Sequence, residues 1–302
     1  MTSPLVAAAA LAVGLGVLLS QRRAVGQTTL ASAWHWTLAA LAAWAGIEIV
    51  AGLAAAEGTG HWLPAIRLAA VSLSFCPVVS LIGAKRPQHA AWNFVVLSLW
   101  GIVALPAAET LLLQRGPQLE MGAARGWFLW VLIALTPISF VPTRYWLAAL
   151  LIAAGQIVAL SPYLALVRRP LIVQPGLIGL LVCTGGLVAA WLASRRSTST
   201  NLAYDRLWLD FRDSFGLFWA LRVQERVNTA ARQYGWDFEL AWSGFVRRAD
   251  GQWLETIDPA IERTLRTTLR GLLRRFVTGA WIAERLGGEG EQPSQSPAAG
   301  GC

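Results

Sequence analysis

Charge is what the first two thirds of this chain lack. Residues 1–194 hold 14 charged side chains, whereas residues 195–302 hold 28. Histidine is scarce too, with three residues (His35, His61 and His89), and lysine scarcer, with Lys85 alone against 24 arginines. Each scarcity removes a class of function. A retinal-type Schiff base needs an intramembrane amine, and Lys85 falls in a loop between apolar segments. A haem or histidine–metal centre needs imidazoles that can meet. Only His35 and His89 share a side in the topology derived below, both near helix ends, so neither cofactor nor metal is expected. Cys76, Cys183 and Cys302 stand far apart with no C-x-x-C metal or redox spacing, and Cys302 carries no C-a-a-X pattern. Neither a paired Asp-rich prenyl-diphosphate motif nor a G-x-S-x-G nucleophile elbow occurs. The excess of arginine over lysine fits GC-rich codons and says nothing of mechanism. The net charge of +8 is not a nucleic-acid signal either, because 15 arginines meet 13 acids in residues 195–302. A nucleic-acid module shows a clear basic excess, so no nucleic-acid partner is expected.

What is present is apolar length. A bilayer core about 30 Å thick takes roughly 20 apolar residues per helix. Seven stretches qualify, at about 3–20, 34–56, 62–84, 91–113, 126–143, 145–167 and 173–194. Lipid offers backbone groups no partner, which makes these stretches helices. Residues 1–6 hold no basic residue and Arg22-Arg23 follow the first apolar run, so segment one reads as an anchor rather than a cleaved leader. The positive-inside rule then orients the chain. With the N-terminus out, Arg22, Arg23, Lys85, Arg86, Arg144, Arg195 and Arg196 lie inside, against Arg115, Arg125, Arg168 and Arg169 outside. The expected location is the inner (plasma) membrane, multi-pass, with a cytoplasmic C-terminus.

Within the segments, Trp34, Trp36, Trp62, Trp92, Trp127, Trp130 and Trp146 sit near helix starts and read as interfacial anchors. The small-residue pairs Ala39/Ala43, Ala42/Gly46 and Ala51/Ala55 suit close helix packing. Ionisable residues in lipid cost about 2.5–3.5 kcal/mol each and are candidates for function. Glu48 and Arg67 fall at similar depth across one hairpin and can pair, either as a structural ion pair or as a proton or substrate site. Glu109 lies near the outer end of segment four. Gln156, in the middle of segment six, reads as an interhelical hydrogen bond. Pro77, Pro106, Pro137 and Pro142 interrupt helices, and Ser72, Ser74, Thr136 and Ser139 beside them can line a cavity, though no internal repeat supports a transporter.

After a polar connector at 197–201 the pattern becomes that of a soluble domain. Leu207, Phe211, Phe215, Phe218 and Leu221 recur at helical spacing, giving one helix or two broken near Gly216. Arg206 and Asp210 form an i, i+4 pair, with Arg212 and Asp213 beside them in a salt-bridged surface. Residues 236–242 alternate as a half-buried strand, and Asp250-Gly251 marks a hairpin turn. Asp258 caps a helix with Pro259 at its first position, running to about residue 286. Its Arg263, Arg266, Arg270 and Arg274 cluster on one side, beside an apolar stripe of Leu265, Leu269, Leu272 and Phe276. That face is a candidate contact for anionic lipid headgroups or an acidic partner, and otherwise a solvated surface. Residues from 287 onward are Gly/Pro/Ser-rich and read as disordered.

The sequence therefore describes an α-helical polytopic membrane protein (residues 1–196) with a small α+β soluble domain (197–286) and a tail (287–302). The expected role is non-catalytic. The lipid bilayer surrounds the helices, and the cytoplasmic domain docks a protein partner, for regulation or for assembly of a membrane complex. The alternative is a small-solute or proton-coupled transporter, or a membrane-embedded enzyme, built on Glu48, Arg67 and Glu109.

Overall fold

The computed structural model describes residues 3–54, 62–87, 89–113, 122–167, 172–196 and 202–287, with the backbone alone at residues 89, 90 and 113. His61, Ala55, Arg115, Arg168, Arg169, the connector at 197–201 and the tail beyond Gly287 lie outside these residues. So does the side chain of His89.

Among the described residues seven helices are long and apolar enough to cross a bilayer. They are α1 (Ser3–Ser20), α3 (Ala31–Ala54), the pair α4 (Leu63–Ser72) and α5 (Cys76–Ile82), α6 (His89–Leu113), α7 (Ala123–Phe140), α8 (Trp146–Leu160) and α9 (Pro175–Ser194). A short α2 (Arg22–Gly26) follows α1. Phe94, Ile102, Leu112, Val131 and Leu150 point outward with large exposed apolar surface, a distribution that water would not tolerate and lipid would. The prolines behave differently from one another. Pro77 follows a 3-10 turn (Leu73–Phe75) that joins α4 to α5. Pro106 and Pro137 sit inside continuous helices, and Pro142 lies beyond the end of α7, so three of the four expected interruptions are absent.

Helix contacts also fall elsewhere than the small-residue spacing suggested. Ala39 and Ala42 face outward, while α3 buries Ala40, Leu41, Trp44 and Ala45. The tightest crossing is between α8 and α9, where a Cβ on Gly179 would lie 2.6 Å from the Gly155 carbonyl oxygen. Several tryptophans pin a helix to a neighbouring segment. Trp34 Nε1 donates to the Leu18 carbonyl (3.0 Å), Trp92 Nε1 to Val79 (2.9 Å) and Trp130 Nε1 to Ala165 (2.8 Å). Trp127 and Trp146 remain exposed, as interfacial anchors would be.

The C-terminal part begins with α10 (Ala203–Gln233), bent at Gly216. There φ is +70°, a region open to glycine, and a Cβ would meet the Ser139 carbonyl oxygen at 3.0 Å. The bend rotates the buried face. Before it Leu207, Phe211 and Phe215 are buried; after it Ala220, Val223 and Val227 are, leaving Phe218 and Leu221 exposed against the expected stripe. The strands β1 (Phe238–Ala241) and β2 (Gly244–Arg247) form an antiparallel hairpin, and a single bridge joins Val246 to Trp253. The strand is shorter than the alternation at 236–242 implied.

The helix expected over 259–286 is two, α11 (Pro259–Leu273) and α12 (Gly279–Leu286), each capped by a side chain, Asp258 and Thr278. The break exists because residues 275–278 leave the helix to bond to the loops of the bundle. Thr29 N–H donates to the Phe276 carbonyl (2.8 Å), Thr278 N–H to Gln27 (2.9 Å) and Arg86 N–H to Arg275 (2.9 Å). Phe276 packs with Phe211, Phe215 and Trp219, and this core continues into Leu81 and Ala84 of the bundle. Trp219 Nε1 donates to Leu81 (2.9 Å) and Trp242 Nε1 to Pro142 (2.8 Å). The loops after α2, α5 and α7 therefore share one face of the bundle, and the C-terminal part is seated on it.

Candidate functional site

Glu48 and Arg67 meet as the hairpin geometry suggested. Arg67 Nε donates to Glu48 Oε1 at 2.7 Å and Nη2 to Oε2 at 3.1 Å, a bidentate pair with Glu48 only 5% exposed. The sequence did not point to the group that closes it, Gly176 at the start of α9. A Cβ there would stand 2.1 Å from Glu48 Oε1 and 2.8 Å from Arg67 Nε, and the Gly176 carbonyl accepts from Trp44 Nε1 at 3.0 Å. Nothing has room to reach the carboxylate from that side. Glu109 lies 3.7 Å from Arg125, across the α6–α7 connection, and both are well exposed. Gln156 is fully buried, with Nε2 donating to Ser74 Oγ at 3.0 Å while its Oε1 has no partner. The structure thus scatters Glu48–Arg67, Glu109–Arg125 and Gln156–Ser74 over separate places.

The feature with chemical potential lies between the bundle and the C-terminal part. It is a cavity of about 790 Å³. Its deep wall is apolar or small, with Leu41, Trp44, Val78, Ala149, Ile152 and Leu180. One face of α9 lines its length, through Leu180, Cys183, Thr184, Leu187, Trp191 and Ser194, at the three- and four-residue spacing of a helix side. Ser74 and Thr136, flagged by sequence as cavity candidates, do line it; Ser72 and Ser139 do not. Thr184 is 6% exposed and its hydroxyl has no protein partner.

The rim is charged, and its charges come from both halves of the molecule. Arg144, after α7, reaches Asp210 Oδ1 with Nη2 (3.2 Å) and Asp213 Oδ2 with Nε (3.3 Å). Arg285 Nε donates to Asp210 Oδ2 at 2.8 Å, and Arg212 binds Asp213 Oδ1 through Nε (2.9 Å) and Nη2 (2.7 Å). The expected Arg206–Asp210 pair is absent, and Arg144 and Arg285 hold Asp210 instead. Burial works against the Arg144 charge, yet Tyr145, Asp210 and Asp213 together hold its pKa above the usual arginine value. Burial likewise pushes the neighbouring Tyr145 hydroxyl upward. Arg196 and Arg206 also line the rim, exposed, and among the described residues neither has an acidic partner.

The arginine stripe on α11 is not a row of four equivalent cations. Arg263 is exposed and Arg274 caps the helix, whereas Arg266 lies 3.8 Å from Glu262, which also accepts from the Tyr204 hydroxyl at 2.9 Å. The buried stripe is Leu265, Leu269 and Leu273, with Leu272 only partly covered.

Among the described residues no three His, Cys, Asp or Glu side chains group to hold a metal ion. His35 stacks edge-on against Trp34 at 5.0 Å. Sequence reasoning could not find the cavity, because its walls are alanines, leucines and tryptophans with no motif. Its visible traces were Ser74 and Thr136, polar residues near prolines in apolar segments. No family model, no curated protein and no solved structure matches this chain.

Proposed function

We propose that this is a membrane-spanning, non-catalytic binding protein that holds an amphipathic small molecule between its helix bundle and its C-terminal part. The observation that carries the reading is the cavity with an apolar deep wall and a charged rim, within the ordinary size range of ligand sites, about 300–1,000 Å³. An apolar solute has no use for the rim, and a polar solute gains nothing from the wall. Cys183 and Thr184 face the space, but no imidazole or unpaired carboxylate lines it beside them to activate a nucleophile. Binding is therefore better supported than turnover. Glu48 and Arg67, the expected heart of a transporter or enzyme, serve in this reading as a sealed ion pair.

The seated C-terminal part faces the cytoplasm, in keeping with Lys85, Arg86, Arg144, Arg195 and Arg196 on its side. A reporter active only outside the cytoplasm checks this, being dark at the C-terminus and bright at the N-terminus. The ligand reading is tested by purification in mild detergent followed by native mass spectrometry. The parent should retain an amphiphile, and Ala149→Phe, which fills the cavity wall, should lose it while keeping its helical circular dichroism. Equal content in parent and variant, or none in the parent, would overturn the proposal.

A further inference from the structure

Resting on that reading, we infer that the ligand carries an anionic phosphate or carboxylate headgroup, seated between Arg196 and Arg206 at the rim, with its hydrocarbon directed toward Trp44. The rim's charges do not balance. Arg144, Arg196, Arg206, Arg212 and Arg285 face the carboxylates Asp210, Asp213 and Glu284. The pairs that exist consume Arg144, Arg212 and Arg285. Arg206 stands one helical turn before Asp210 on α10, but Arg144 and Arg285 hold that carboxylate and Arg206 makes no ion pair among the described residues. Arg196 stands two residues past the end of α9. Among the described residues two cations that line the same cavity are thus left without an acidic partner, and a guanidinium matches the oxygen geometry of phosphate or carboxylate.

The direction follows from α9, whose one face runs the length of the cavity. From Leu180 to Arg196 the helical rise gives about 24 Å. The apolar end is the far one, so a head at the arginines places a chain along Leu187 and Cys183. Thr184 adds a second recognition point. Its buried hydroxyl, without a partner among the described residues, lies about 18 Å from Arg196 by helical rise and can bond a polar atom far along the chain.

Dodecyl phosphate, dodecanol and inorganic phosphate separate the elements of this proposal. They are titrated into the full-length protein in a neutral detergent, with thermal stability as readout, since a ligand of the folded state raises the midpoint. The expected result is that dodecyl phosphate stabilises more than dodecanol and inorganic phosphate does nothing. Arg196→Gln and Arg206→Gln should each weaken dodecyl phosphate about tenfold or more, leave dodecanol unchanged, and differ from the distant control Arg232→Gln, which should match the parent. If both amphiphiles bind equally and the arginine variants change neither, the headgroup inference falls while the binding reading survives. If inorganic phosphate binds as well as dodecyl phosphate, the site is one for free anions and the inference also falls. If neither amphiphile stabilises the parent, both fall together.

Discussion

Two clusters of buried charge sit in this protein, and they differ in what closes them. At one end of the bundle, Glu48 and Arg67 form a bidentate pair under the backbone of Gly176, with no space beside it. At the other, Arg144, Asp210, Asp213 and Arg285 form a shared network that borders an open cavity and leaves Arg196 and Arg206 over. The first satisfies each charge with one partner and covers the carboxylate, leaving only Arg67 partly exposed. The second satisfies its carboxylates twice and keeps surplus cation facing a void. An ionisable residue in an apolar segment is thus a poor guide to function by itself. Its surroundings decide whether a ligand can reach it.

The sharpest test of this contrast is the ion pair, because a sealed pair should be costly to break and irrelevant to binding. Arg67→Ala leaves the Glu48 carboxylate buried alone, and the expected loss is about 3–5 kcal/mol in unfolding free energy; Glu48→Gln leaves a partly exposed Arg67 and should cost less. The double variant should recover a large part of that, as measured in mixed-micelle denaturation. Arg144→Gln at the rim should cost clearly less, since Arg285 still holds Asp210 and Arg212 still holds Asp213. Amphiphile binding should survive in the Glu48/Arg67 double variant. A stable Glu48→Gln protein that no longer binds would move the functional site to the sealed cluster and reverse the comparison.

A smaller effect is expected from the lid over that pair. Gly176→Ala introduces a methyl where only 2.1 Å separates it from Glu48 Oε1. The carboxylate must shift or α9 must lift, and the expected destabilisation is about 1–3 kcal/mol. Tryptophan fluorescence should report it too, through the Trp44 bond to the Gly176 carbonyl. A neutral outcome would mean that the pair has slack, and so is open to other partners.

How much of this was readable beforehand follows from the range of the forces involved. Seven apolar helices were legible because bilayer length writes itself into runs of residues such as those between Arg144 and Arg168. The Glu48–Arg67 meeting was legible too, because a hairpin sets it. The split of the last helix was not. Thr278-Gly279 is the one local sign of a new helix start, and the apolar pattern running through it is overruled by bonds to residues 27, 29 and 86, far away in the chain. Phe218 and Leu221 misled for a related reason, since one glycine turned the helix face beyond them. Arg206 and Asp210 had the right spacing for a pair, but competition from Arg144 and Arg285 decided otherwise. The cavity depends wholly on how seven helices and a seated C-terminal part fit together, which no local window contains.

Asp205 supplies the third case, a buried carboxylate with neither a seal of arginine nor a cavity. It is 5% exposed, accepts the Phe245 N–H at 2.7 Å on Oδ1, and has no cation within ion-pair distance among the described residues. Burial pushes its pKa above the usual aspartate value, and the Phe245 bond offsets part of that rise. The sign of the pH effect follows. The folded state holds the proton more tightly than the unfolded chain, so the benefit is complete below the unfolded pKa of about 3.9 and is lost as pH rises through the raised folded value. Asp205→Asn keeps an oxygen for the Phe245 amide and removes the charge. Its stability relative to the parent should therefore increase with pH across the acidic range and level off near neutrality, by less than about 1 kcal/mol. Thermal midpoints of parent and variant, taken side by side from about pH 3 to 7, read this directly. A variant that loses ground as pH rises would show that the Phe245 amide stabilises the ionised form more than burial penalises it. Asp205 would then resemble Glu48, with one backbone N–H in place of the arginine.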